Sequence, residues 1–240
     1  MAEAEGIFLA DGENIDDVSP YEFDSVVEEV GNTFALDAAA AIHGTKGYKV
    51  AFRGAADGAY GNVAIDSRLK AHKRWYMYFP SDSYPHHADP VLRAWYGMYL
   101  LSAGADPFAA YIQFASNDSV VQVNRLYYYV NTGMADSGIL GDSISTDTSH
   151  YLEIYYKIGD GDGAVELLLN GVSIASASAL TNDNLTGVIG IRAGVGYASP
   201  VPADGDYFYI DDGKIDTSLI GNYCDRRRRL WPMTYMRPYL

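Results

Sequence analysis

Among the 21 tyrosines of this chain, six recur at alternate positions of runs that read as strands: Tyr76, Tyr78, Tyr111, Tyr127, Tyr129 and Tyr155. Period-two spacing would stand them on one side of a sheet. Phenol rings stack on the C–H faces of sugars while polar neighbours orient the hydroxyls. The same rigid, amphipathic rings also serve protein interfaces at small entropic cost, so a glycan platform and a subunit contact are both open. Hydrolysis of a glycosidic bond asks for two carboxyl groups roughly 5 to 10 Å apart. Glu153 is followed by Ile154, Tyr155 and Tyr156, and Glu166 by three leucines, so neither opens a carboxylate pair on its strand.

Other residues could hold cations or anions. Asp11, Glu13, Asp211 and Asp212 raise calcium, a hard cation that takes six to eight oxygens; turn chemistry with solvated acids is the plainer reading. Asp160-Gly161-Asp162-Gly163 lacks the third acidic position and the distal Glu of an EF-hand loop and reads as a turn. His86 and His87, with Asp82 and Asp89 nearby, read as an exposed loop, since adjacent histidines seldom converge on one ion. Near the C-terminus Arg226, Arg227, Arg228 and Arg229 precede Trp231, Met233, Tyr235, Met236, Tyr239 and Leu240, with Pro232 and Pro238 among them. The prolines prevent a long helix. A basic, apolar segment of this kind suits docking on an acidic surface, of which a second copy of the chain is the natural source.

The 240 residues carry a net charge of −14. Residues 225–240 hold five arginines and one aspartate, which leaves about −18 on residues 1–224. Such a body repels nucleic acid and anionic membranes. One cysteine, Cys224, forms no intrachain disulfide and says nothing of compartment. The N-terminus is acidic where a secretory signal would be basic, and no run approaches the length of a membrane span.

The elements that must position these residues are strands. Asn170-Gly171 is the dipeptide of a two-residue type I′ hairpin. It predicts Leu169 opposite Val172 and Leu167 opposite Ile174, with Val165, Leu167, Leu169, Val172 and Ile174 on a core face. Upstream, Leu152, Ile154, Tyr156 and Ile158 alternate with Tyr151, Glu153, Tyr155 and Lys157. Thr33–Leu36, Ala38–Ile42, Tyr48–Phe52 and Asn62–Ile65 read as short strands, while Tyr21–Val30, the only helix-like piece, sits in a segment read mostly as loop. In Arg74–Phe79 the residues Trp75, Met77 and Phe79 face one way and Arg74, Tyr76 and Tyr78 the other. Trp95–Leu101 sets Met98 and Leu100 opposite Trp95, Tyr99 and Leu101, and Ala110–Ala115 sets Ile112 and Phe114 opposite Tyr111 and Gln113. Arg125–Val130 sets Leu126, Tyr128 and Val130 opposite Arg125, Tyr127 and Tyr129. Gly187–Val195, Tyr207–Asp211 and Lys214–Ile220 close the chain. About twelve strands without a firm helix predict an all-β fold, a two-sheet antiparallel β-sandwich with one sheet bearing the tyrosines outward.

The early FLADG, the strand RWYMYF, the hairpin run HYLEIYYKIGDGDGAVELLLNGVSIAS, then LTGVIGIRAG and YFYIDDGKI together resemble the concanavalin A-like lectin/glucanase, or LamG-like, jelly roll over roughly residues 6–220. The resemblance implies lectins, glycosidases, polysaccharide lyases or non-catalytic domains of secreted and viral particle proteins, among which a fold does not choose. Glucanases of this family carry an E-x-D-x-x-E strand that has no counterpart here. The related lyases carry an arginine-rich strand, a Gln-x-His strand and a Tyr/Lys strand; Tyr111-Ile112-Gln113-Phe114 lacks the histidine, and Tyr155-Tyr156-Lys157 is a partial match. The family's structural calcium would map to Asp11 and Asp211.

The expectation is therefore a sandwich domain over residues 1–223 with a docking arm over 224–240, and no enzyme. The arm residues Arg226 to Arg229, Trp231, Tyr235 and Tyr239 would bind neighbouring subunits. The leading role is a structural or assembly protein of a bacteriophage or virus particle, a capsid decoration or tail protein assembled in the host cytoplasm. The alternative is a lectin-like carbohydrate-binding module, and the third reading a polysaccharide lyase or glycosidase. Partners would be protein subunits or surface glycans, with no membrane.

Overall fold

The protein is described by a computed structural model over residues 8–10, 23–42, 46–88 and 91–216, with the backbone alone at 8–10 and 212. Among these residues the chain forms strands β1 (Phe8–Ala10), β2 (Ser25–Glu28), β3 (Thr33–Asp37), β4 (Gly47–Arg53), β5 (Ala59–Arg68), β6 (Lys70–Tyr78), β7 (Arg93–Gly104) and β8 (Phe108–Asn117). They continue as β9 (Val120–Val130), β10 (Gly133–Asp136), β11 (Asp142–Ile144), β12 (Ser149–Lys157), β13 (Asp160–Leu169), β14 (Val172–Thr181), β15 (Leu185–Ser199) and β16 (Asp204–Asp216).

Two antiparallel sheets of eight strands result, as the alternation predicts. The first runs β14-β13-β12-β6-β16-β4-β3 with β1 on β16; the second runs β10-β9-β8-β7-β15-β5-β2 with β11 on β9. They pack face to face over one apolar core to which both contribute. An aromatic seam joins the layers. Trp95 and Phe114 of the second sheet stack at 4.1 Å between centroids, and Phe79 and Phe208 of the first lie 5.9 and 5.1 Å from Trp95. All four are fully buried, and burying each contributes about 1.5–3 kcal/mol. Two polar side chains also cross the core. Tyr156 of β12 donates its hydroxyl to the Tyr129 carbonyl at 2.9 Å, and Lys73 of β6 reaches the backbone of β7 and β15.

Local sequence explains most elements. Asn170 (φ 52°) and Gly171 (φ 84°) both take the positive φ of the type I′ turn, and Leu169 pairs with Val172. Beyond that the hairpin departs from expectation. A bulge between Leu167 and Leu168 pairs Leu167 with Ala175 instead of Ile174, and Val172, expected in the core, is 65% exposed. Ala38–Ala40 forms one 3-10 turn, not a strand, because the Asp37 carboxylate accepts from Ala39 N and caps it. Ser25–Glu28, within the supposed helix or loop, is a strand paired to β5. The two terminal runs merge into β16 with a register shift between Asp211 and Lys214, and residues 217–220 lie outside the described residues. No helix among the described residues is long and apolar enough to cross a membrane.

Candidate functional site

The six tyrosines do not share a face. Tyr76 and Tyr78 on β6 and Tyr155 on β12 belong to the first sheet, whereas Tyr111 on β8 and Tyr127 on β9 belong to the second. The predicted single platform is thus corrected to two faces on opposite sides of the sandwich, because strand pairing, not alternation, decides which sheet a strand enters. Tyr129 is on neither: it is 5% exposed and part of the core.

On the outer side of the first sheet Tyr76 lies 5.5 Å from Tyr151, and His72 stacks on Tyr155 at 4.5 Å with its Nδ1 3.2 Å from Glu153 Oε1. Arg74 and Glu153 are paired across strands and only 2% and 1% exposed. This face buries its charges.

The outer side of the second sheet is built differently, and its geometry comes from broken ladders. Tyr96 and Tyr99 are three residues apart on β7, which in a regular strand puts them on opposite faces. A bulge between Gly97 and Leu100, with Met98 at φ 61°, brings both outward and keeps Trp95 and Leu100 in the core. Trp95, expected opposite Leu100, is corrected by this bulge. Arg192 and Tyr197 of β15, five apart, are brought to one face by shifts between Arg192 and Val195 and between Val195 and Tyr197. Glycines permit the close approach: a Cβ on Gly97 would lie 2.6 Å from the Gly194 carbonyl oxygen, and one on Gly196 would lie 2.5 Å from the Tyr99 hydroxyl.

Bulges free carbonyls from the ladder, and buried carbonyls need donors. Lys73 supplies them from the opposite sheet. Its side chain, in a residue 1% exposed, donates from Nζ to the Tyr99 carbonyl at 3.0 Å and the Arg192 carbonyl at 2.6 Å. Burial, and secondarily Arg192, holds this ammonium well below the usual lysine range.

Tyr96, Tyr99, Tyr111, Arg192 and Tyr197 line a cavity of about 340 Å³ with Phe108 and Gly196. Arg192 stacks over Tyr60 at 3.8 Å and donates from Nε to Asn62 Oδ1 at 3.0 Å. No carboxylate among the described residues forms an ion pair with it. A relay runs alongside: Asn124 Nδ2 donates to Gln113 Oε1 at 2.6 Å, and Gln113 Nε2 donates to the Tyr96 hydroxyl at 2.7 Å. Tyr111 stacks on Tyr127 at 4.9 Å. Burial, then Tyr127, Tyr96 and Asp106, pushes the Tyr111 phenol up to about 12, and burial raises Tyr99 despite Arg192. Both stay protonated donors near neutrality. Tyr197 is 48% exposed. The described lining holds a guanidinium and phenols, with no carboxylate, histidine or serine.

Of these residues the sequence reading singled out Tyr111 and Tyr127 for binding and missed Tyr96, Tyr99, Arg192 and Tyr197. The available signal was glycine inside strands, at Gly97, Gly194 and Gly196, which marks bulges and close backbone approach. Asp211 is fully buried, its Oδ2 accepting from Ile42 N at 2.8 Å; Asp11, its expected calcium partner, lies outside the described residues. Among the described residues no three acids, histidines or cysteines are grouped to hold a metal. The arm residues Arg226 to Arg229, Trp231, Tyr235 and Tyr239, and the boundary at residue 223, also lie outside the described residues. His86, on its loop, stands 3.3 Å from Asp118.

No protein-family model matches the chain, and no curated protein matches it. Solved structures do. The endo-β-1,4-glucuronan lyase of the fungus Trichoderma reesei is similar at TM-score 0.62 and 15% identity, over 89% of this chain and 96% of that one. The alginate lyase vAL-1 from Chlorella virus is similar at TM-score 0.62 and 12% identity, over 89% and 100%. A carbohydrate esterase from the Shiga toxin-encoding bacteriophage phi24B is similar at TM-score 0.57 and 10% identity, over 90% and 99%. At such identities the likeness shows the jelly-roll fold that the sequence suggested. These three structures are carbohydrate-active enzymes, a finding that contradicts the expectation of no enzyme. A missing carboxylate strand excludes one chemistry of this fold, not catalysis on it.

Proposed function

We propose that the chain is a carbohydrate-active enzyme that binds a uronate-bearing polysaccharide on the outer face of the second sheet and cleaves it by β-elimination. The observation that supports this reading is the cavity between β7, β8 and β15, where Arg192, without a carboxylate partner among the described residues, faces the same space as the phenols of Tyr96 and Tyr197. Hydrolysis by a carboxylate pair has no candidates in that lining, and acyl transfer has no serine there. Elimination needs neither.

In this chemistry the substrate carboxylate takes up the Arg192 charge, which acidifies the adjacent C–H. One tyrosine, as its phenolate, accepts that proton and becomes a phenol, the C–O bond to the leaving sugar breaks, a C=C bond forms in the remaining uronate, and a second tyrosine, as a phenol, protonates the departing oxygen and is left as a phenolate. Tyr197, open to solvent, and Tyr96, held by Gln113, are the two groups placed for these transfers. Tyr111 and Tyr127 offer a stacking surface beside them.

The test incubates the purified chain with alginate, glucuronan and pectate and follows the ultraviolet absorbance of the conjugated unsaturated uronate. The expected result is product from at least one polymer, with a rate lower by about 10²–10⁴ in Tyr197→Phe. Binding without any unsaturated product, in a folded protein, would leave the lectin-like alternative. Release of acyl groups instead would point to an esterase.

A further inference from the structure

A second cavity, of about 710 Å³, opens on the first sheet, across the sandwich from the cavity of β7, β8 and β15. Tyr78, Tyr207 and Tyr209 form its floor, and Asp147, Thr148 and Ser149 one wall. The rings are close: Tyr207 lies 5.2 Å from Tyr209, and Tyr209 6.0 Å from Tyr78. The wall is fixed. Asp147 takes φ 54° in its turn, its backbone N–H donates to the Phe79 carbonyl at 2.9 Å, and its Oδ1 accepts from Ser81 N at 3.0 Å and the Tyr78 hydroxyl at 3.3 Å. Hydrogen bonds from Ser81 and Tyr78 hold its carboxyl below the usual range, so it is charged near neutrality. On the other side Lys49 Nζ sits 3.7 Å over the Tyr207 ring.

We infer that this cavity is a second saccharide site, selective for neutral sugar units. Clustered phenol rings beside hydroxyl and carboxylate groups are the chemistry that stacks and orients a pyranose. The charges select among ligands. The exposed Asp147 carboxylate, on the wall itself, repels a uronate, and the Lys49 ammonium, which would attract one, is not part of the lining and is engaged by the Tyr207 ring, so a hydroxyl-rich neutral ligand meets no penalty there. The site does not depend on the elimination chemistry of the other sheet.

Calorimetric titration of the full chain with cellohexaose and mannohexaose, and with an alginate hexasaccharide, tests it. At least one neutral hexasaccharide should bind, about tenfold or more weaker in Tyr207→Ala and in Asp147→Asn, and unchanged in Tyr197→Phe. Two variants are used because Asp147 is exposed and its replacement leaves the core untouched should Tyr207→Ala unfold. The inference is overturned if neither neutral sugar binds, if binding survives both substitutions, or if the alginate hexasaccharide binding is the one these substitutions weaken. Loss of elimination in Tyr197→Phe with neutral binding intact separates this site from the first.

Discussion

The strands β6 and β7 stand in the interiors of their sheets and carry much the same kind of aromatic sequence, yet they differ in their ladders. β6 pairs with β12 through nine consecutive residue pairs, Lys70–Lys157 to Tyr78–Ser149, without a shift, and its ladder with β16 has a single shift, between Asp211 and Lys214. β7 is interrupted between Gly97 and Leu100 on the side of β8 and at four places on the side of β15. An unbroken ladder satisfies its own backbone and sorts side chains strictly by parity. A broken one leaves carbonyls to be satisfied from elsewhere, and it gathers onto one face groups that parity would separate. Here Lys73 of the regular strand donates to the carbonyls of the irregular pair, and Tyr96, Tyr99, Arg192 and Tyr197 come together in consequence. The strand of the unbroken β6–β12 ladder thus supports the irregular β7–β15 pair across the core.

The harshest way to break this contrast is Gly194→Ala. Gly194 has φ 106°, and a Cβ there would run into the Ala59 carbonyl oxygen and come within 2.9 Å of Tyr60 Cα. Both contacts are backbone, so no side chain can swing aside, and a loss of about 3 kcal/mol or more is expected in urea unfolding. A loss below about 1 kcal/mol would mean that the β5–β15–β7 junction is not rigid.

Lys73→Met follows. It keeps most of the apolar stem and removes both donated bonds, leaving the Tyr99 and Arg192 carbonyls without this donor. Relief from burying an ammonium offsets part of the cost, so a net loss on the order of 2 kcal/mol is expected. Displacement of Arg192 should raise KM for a uronate polymer more than it lowers kcat. A variant as stable as the parent, with unchanged KM, would show that the bulges hold themselves.

The same contrast sets what could be read from sequence. β6, β12 and the Asn170-Gly171 turn announce themselves, because period-two alternation and a dipeptide that tolerates positive φ are local signals. The bulges are not local in that sense. Met98 adopts φ 61° although nothing in its type asks for it, and it does so buried in the core, at 2% exposure. The division of the tyrosines between sheets was equally hidden, since the pairing of β6 with β12 and β16, and of β8 with β7 and β9, follows from the whole topology. Gly97, Gly194 and Gly196 are the legible trace of the site, since glycine inside a strand marks a bulge or a close backbone approach.

The mildest expected effect is a difference in alkaline stability. Tyr111, on the irregular face, has its phenol pushed up to about 12 in the fold, whereas the unfolded chain ionises near 10. Its contribution to stability is fully present below pH 10 and is lost as pH rises from about 10 through about 12, because the unfolded state gives up the proton first. Lys73 has the opposite sign. Its pKa is lowered in the fold from the ordinary 10.5, so the unfolded chain holds the proton longer, and stability rises with pH from the lowered value up to 10.5. Tyr111→Phe should therefore leave Tm nearly unchanged at pH 8 and flatten its decline above pH 10, while Lys73→Met should remove the rise that precedes it. Equal slopes for the parent and Tyr111→Phe above pH 10 would place the Tyr111 phenol in water, and with it the stacking surface proposed beside Arg192.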